Sequence, residues 1–164
     1  MRYAILMLLL CACYPSNQAA STRCGLVAGG DYRTGAIDWL SVDVLQEAED
    51  VFLRAMQATA DARLNDPALA CAELEGFHVY TRAEVSWKFD EQEEINGMTT
   101  CAIHVMVIGE PRNHSWRSTS LSHELVHAAQ NCRTTGDNTG HGHWKESGVW
   151  NVIGDIQASR ELHQ

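Results

Sequence analysis

Apolar residues recur at helical spacing at both ends of this chain and at every second position between them. Over residues 41–64, Leu45, Ala48, Phe52, Ala55, Met56, Thr59 and Ala62 fall on one stripe, acids lie in the early turns, and Asn65-Asp66-Pro67 ends the run. This predicts a long amphipathic packing helix. Before it, Gly29-Gly30-Asp31 and Thr34-Gly35 mark loops. After it, 77–81 and 85–89 alternate, the second placing Val85, Trp87 and Phe89 on one face, and Asn96-Gly97 signals a turn. Residues 101–108 are apolar on both faces, as a buried strand requires. Helical spacing then returns, with Leu121, Leu125, Ala128 and Cys132 on one side behind a cap at Ser118-Thr119-Ser120. No capping box is completed there, because Leu121 rather than Glu stands three residues after Ser118. Val149, Ile153, Ile156 and Leu162 predict a C-terminal helix that closes the core. The order predicts an α+β fold, in which a small antiparallel or mixed sheet packs on an N-terminal helix, the 121–132 helix and a C-terminal helix.

With 164 residues, 45% of them hydrophobic, the chain can build one domain with a substantial core. A net charge of −9 opposes the electrostatic attraction on which nucleic-acid binding depends, so no nucleic-acid partner is expected. The acidic run at 90–94 reads as a solvated loop.

The first residues read as a targeting segment: Arg2 gives a positive start, 3–10 is apolar, and the stretch is too short to span a bilayer. Leu10-Cys11-Ala12-Cys13 resembles the bacterial lipobox, with Cys11 at its middle position. That resemblance implies a signal peptide over 1–12, lipidation of Cys13, a lipid-anchored tether over 13–23 and a folded domain over 24–164. The protein is then an exported, membrane-anchored lipoprotein, periplasmic or at the cell surface. A plain signal peptide cut near Ala20 is the alternative. Processing leaves Cys24, Cys71, Cys101 and Cys132, which in an oxidising compartment reads as two disulfides with three possible pairings. Cys24–Cys71 with Cys101–Cys132 is preferred, since a bridge at Cys132 would hold the end of the 121–132 helix against its neighbour. A zinc site made of cysteines is disfavoured because no CxxC pair exists.

The densest chemistry lies in Ser122-His123-Glu124-Leu125-Val126-His127, which contains HExxH. On a helix, i and i+4 stack on one face, so His123 and His127 converge on one point opposite the apolar stripe, with Glu124 beside them. Imidazoles at this spacing can share one Zn2+ per chain, and the carboxylate of Glu124 can accept a proton from water activated there. Candidates for a third ligand follow in the glycine-rich segment 136–148: His141, His143 and Glu146. His78 and His104 lie within predicted strands and read as core or surface histidines. Trp144 reads as a core plug beneath the loop.

Leu121-Ser-His-Glu-Leu-Val-His-Ala-Ala-Gln130, with Gly140-His141-Gly142 downstream, resembles the minimal zincin-like metallopeptidases, including the SprT-like group. The resemblance covers roughly 118–148 and implies a zincin-like fold, zinc held by His123, His127 and a later residue, and hydrolysis of peptide or protein substrates with Glu124 as general base. His141, 14 residues after His127 and flanked by glycines, resembles the later histidine of the SprT-like arrangement. Glu146, 19 residues after His127, matches the thermolysin-like spacing, and His143 remains a third option. An edge strand binds extended substrate in zincins, and 85–89 is the expected edge here because its alternation is cleaner than that of 101–108. His143, Arg133 and Tyr80 are candidates for stabilising an oxyanion. Two other readings stay open: a noncatalytic surface lipoprotein with a structural zinc site, and a secreted nuclease or other metal hydrolase using three histidines.

Overall fold

The computed structural model describes residues 20–36, 39–84, 86–88, 94–110, 115–132, 141 and 144–159. In chain order these form β1 (Val27–Asp31), α1 (Val42–Met56), α2 (Pro67–Leu74), β2 (His78–Arg82), β3 (Trp87–Lys88), β4 (Glu94–Ile95), β5 (Gly97–Thr100), β6 (Val105–Gly109), α3 (Leu121–Asn131) and α4 (Val149–Ala158). The fold is α+β. Its main sheet has the order β1-β2-β6-β5, with β1, β2 and β6 parallel and β5 antiparallel to β6. The expected sheet is therefore present in its mixed form.

Register decides which residues face the helices. Gly97 pairs with Ile108, and Thr99 pairs with Met106, which in turn pairs with Val79. Val79, Met106 and Ile108 belong to the buried core together with Leu45, Phe52, Leu121 and Leu125. Alternate residues along a strand point to opposite faces, so Gly97 and Thr99 look toward the helices while Met98, Tyr80 and Val107 look away. On the helix side, α1 packs on β1 and α3 on β5 and β6, while α4 packs on α1 and α3.

The first predicted helix is real but shorter than the periodicity suggests. α1 stops at Met56, where the hydroxyl and backbone N–H of Thr59 both donate to the Met56 carbonyl. Asp66 then caps a second helix where the sequence predicts only a stop: its carboxylate accepts from the N–H groups of Ala68 and Leu69, with Pro67 in the first turn. That pairing of an acidic cap with an early proline is a helix start. Gly29-Gly30, read as a loop, lies in β1, where the Tyr80 ring covers Gly29 so closely that a Cβ would stand 2.5 Å from it. The expected strand at 101–108 begins only at Val105, because Cys101–Ile103 form a 3-10 turn and His104 takes a left-handed φ of 50°. Ser120 stands at the start of α3, yet the Thr119 hydroxyl accepts the N–H of Leu121 and Ser120 donates to the Asn96 carbonyl instead.

Both disulfides take the preferred pairing, Cys24–Cys71 and Cys101–Cys132. The first fixes the N-terminal segment to α2 and the second joins the end of α3 to the turn between β5 and β6. Residues 21–23, assigned to the tether from the sequence, are part of the fold. Thr22 is buried and donates to the fully buried Glu49 of α1, and that carboxylate also accepts the backbone N–H of Cys24 at 3.1 Å. The signal segment, Cys13, most of the acidic run at 90–94 and Leu162 lie outside the described residues. Among the described residues, no helix is long and apolar enough to cross a membrane.

Candidate metal centre

Leu121, Leu125 and Ala128 are buried in the core, so the opposite side of α3 presents His123 and His127. Their Nε2 atoms stand 3.0 Å apart. His141 closes the cluster, its Nε2 lying 3.2 Å from that of His123 and 3.1 Å from that of His127. Three nitrogens around one tetrahedral zinc, each about 2.0–2.1 Å from the ion, stand about 3.3 Å apart. The three imidazoles thus form a group that could hold a metal ion.

Their protonation suits that role. Burial, with His141 nearby, pushes the pKa of His123 down to about 4. Burial, with His123 and His141 nearby, pushes His127 down to about 3. Burial also lowers His141. A lowered pKa favours the neutral imidazole, which has a nitrogen lone pair to offer a cation.

The floor beneath them is Trp144, fully buried, its ring 4.8, 4.8 and 4.6 Å from the rings of His123, His127 and His141. Burial agrees with its expected place as a core plug, but its contact with all three imidazoles is new. Trp150, in the first turn of α4, lies 5.4 Å from His123 and 5.5 Å from His141 and is 42% exposed. No pattern in the sequence pointed to it as a neighbour of the cluster.

Glu124 sits on the adjoining side of α3, facing β5. Its Oε2 accepts the Thr99 hydroxyl at 2.7 Å, while a Cβ on Gly97 would stand 2.6 Å from its Oε1. Burial raises its pKa to about 7, against the opposing effect of the Thr99 hydrogen bond. A cleft of about 420 Å³ opens here, lined by Ile95–Gly97, Ser118–Ser120, His123, Glu124 and Gln157. One wall is the start of β5 and the other is the start of α3, so a bound molecule would meet His123 and Glu124 together.

The remaining candidates are less central. Glu146 is exposed in the turn before α4 and is outside the three-histidine group. His143 and Arg133 lie outside the described residues. Tyr80 cannot stabilise charge in this cleft, since the register turns it to the sheet face away from α3, against Tyr32 and His78. The expected edge strand is also corrected: β3 pairs with β4 in a separate two-stranded ribbon, and β5 is the edge of the main sheet beside Glu124. Val85 and Phe89, the ends of the expected strand, lie outside the described residues. His78 is exposed on the far face, and His104 stacks on Phe77 at 4.9 Å.

No protein-family model, curated protein or solved structure matches the chain.

Proposed function

We propose that the protein is an exported zinc-dependent peptidase of zincin-like type, anchored through a lipid on Cys13. The observation that carries the reading is the triangle of three Nε2 atoms on one side of α3, with a buried carboxylate, one residue from His123, lining a cleft that His123 also lines. His123, His127 and His141 would hold the ion. When bound, zinc supplies an acidified water and polarises a carbonyl.

The chain's own residues supply the rest. Thr99 holds Oε2 of Glu124, leaving Oε1 toward Gly97 as the proton acceptor. A base works best when its pKa lies near the working pH, and burial moves Glu124 in that direction. The proton taken from water then passes from Glu124 to the departing amine. An extended peptide suits the cleft because β5 runs along it as an edge strand, and main-chain pairing to such a strand is tolerant of sequence. The acid-poor, neutral lining of Asn96, Ser118, Ser120 and Gln157 suits peptide chemistry better than a polyanion's phosphates, which call for cations.

The test is Glu124→Gln. That side chain keeps its shape but cannot take a proton, so zinc content should stay near one per chain while cleavage of a broad peptide library falls about 10²- to 10⁴-fold. His123→Ala and His127→Ala should lose the metal. Cleavage by Glu124→Gln equal to that of the wild type would refute the assignment of the base, and zinc retained by both histidine variants would refute the site.

A further inference from the structure

His141 reaches the cluster from a segment that leaves α3 after Asn131, so something must hold it there against chain entropy. Its own anchor is short. The His141 carbonyl accepts the backbone N–H of Trp144 at 3.1 Å, and the Trp144 carbonyl accepts the N–H of Val149 at the head of α4. The indole N–H of Trp144 donates to Oε1 of Gln130 at 2.6 Å. Gln130 lies one turn beyond His127 on α3, is only 4% exposed, and donates through Nε2 to Asp61 in the connection between α1 and α2. Arg63 of the same connection donates to the Gln130 backbone carbonyl at 3.0 Å.

The two ends of this chain of bonds demand one orientation of the Gln130 amide. An indole N–H can only donate, so it requires the amide oxygen, and an ionised carboxylate can only accept, so it requires the amide nitrogen. Both conditions hold at once. Each partner therefore fixes the other, and the amide fixes the tryptophan on which all three imidazoles rest.

We propose that Gln130, oriented by Asp61, is a positioning residue that sets His141 for metal binding by clamping Trp144. The proposal rests on the metal-centre reading above. Gln130 acts through Trp144, in the manner of outer groups that orient metal ligands and whose loss costs about 10- to 100-fold in affinity.

The experiment measures zinc affinity of the oxidised mature protein by competition with a chromophoric chelator, together with the visible spectrum of the cobalt-loaded form. Gln130→Leu, Trp144→Phe and Asp61→Ala are compared with wild type, each alone and combined with His141→Ala. Each single substitution should weaken zinc binding about 10- to 100-fold and shift the cobalt spectrum toward that of His141→Ala. In the His141→Ala background the same substitutions should cost clearly less, because only His123 and His127 then remain against the Trp144 ring. Asp61, half-buried, is the substitution that keeps the test open if Trp144→Phe does not fold, as judged by circular dichroism. Wild-type affinity in the folded variants, or equal losses in both backgrounds, would overturn the proposal. A wild type that binds no zinc would overturn the metal centre itself and this inference with it, an outcome the wild-type titration alone identifies.

Discussion

Replacing Cys101 and Cys132 together by serine should separate two things a disulfide can do. The bridge spans 31 residues, and the chain entropy that it removes from the unfolded state is worth about 3.7 kcal/mol at that loop length. Cys24–Cys71 spans 47 residues, for which the same relation gives about 4.0 kcal/mol. On entropy alone the two serine pairs should melt alike, each roughly 10 °C below wild type for a domain of this size. Their positions differ, however. Cys132 follows the last turn of α3, whereas Cys24–Cys71 joins the N-terminal segment to α2. Loss of the first bridge should therefore also free the end of α3, speeding hydrogen exchange at Ala128–Gln130 and lowering zinc affinity. Loss of the second should lower the melting temperature by a similar amount with zinc affinity retained. Calorimetry and chelator competition on the two variants check this. Equal zinc losses in both, or a Cys101/Cys132 variant that melts like wild type, would refute the reasoning.

Gly97→Ala would put a methyl 2.6 Å from both Oε1 of Glu124 and the Ser120 hydroxyl, so both side chains must move or the strand must shift. Zinc should stay bound, stability should fall by about 1–3 kcal/mol, and peptide cleavage should drop about 10²-fold through a misplaced base. Thr99→Val removes a hydrogen bond that lowers the Glu124 pKa, so the acid limb of the activity profile should move to higher pH at constant zinc content; an unmoved limb would count against Glu124 as the base. In metal-free protein, His123 and His127 have folded pKa values below 6.5, so the stability that they contribute is present above pH 6.5 and lost as pH falls toward 4 and 3. Glu124, raised to about 7, opposes this by favouring the folded state as pH falls from 7 toward 4.5. Acid destabilisation of the chelator-treated protein should therefore be steeper in Glu124→Gln than in wild type, as thermal melts across this range would show, and parallel curves would contradict it.

The parts of this molecule that were legible in its sequence are those encoded by spacing along a single element. HExxH and the stripe of Leu121, Leu125 and Ala128 put a histidine face and a core face on α3, and the same periodicity marks α1 and α4. Local signals were missed where two meanings compete. Asp66-Pro67 ends one helix and starts another, and Gly29-Gly30 reads as a loop until Tyr80 is seen lying across Gly29. The residues around the site were hidden for a different reason. Thr99 meets Glu124 across 25 residues, and Gln130 meets Asp61 across 69, so neither contact leaves a periodic trace. Asn96-Gly97 signals a turn in the sequence, and Gly97 is also the position that leaves room for the Glu124 carboxylate.

The pairing of β5 with β6 constrains how this chain can change length. Gly97 and Thr99 both address Glu124 because they are two residues apart on one strand. Adding or deleting one residue between Thr99 and Cys101 would bring Met98 or Thr100 to the carboxylate and turn its partner hydroxyl to the far face. Insertions ahead of Asn96 leave that phase alone. Length variation in divergent copies of this protein, and grafts made by engineers, should therefore be tolerated on the β3–β4 side of the cleft and rejected between Gly97 and Cys101.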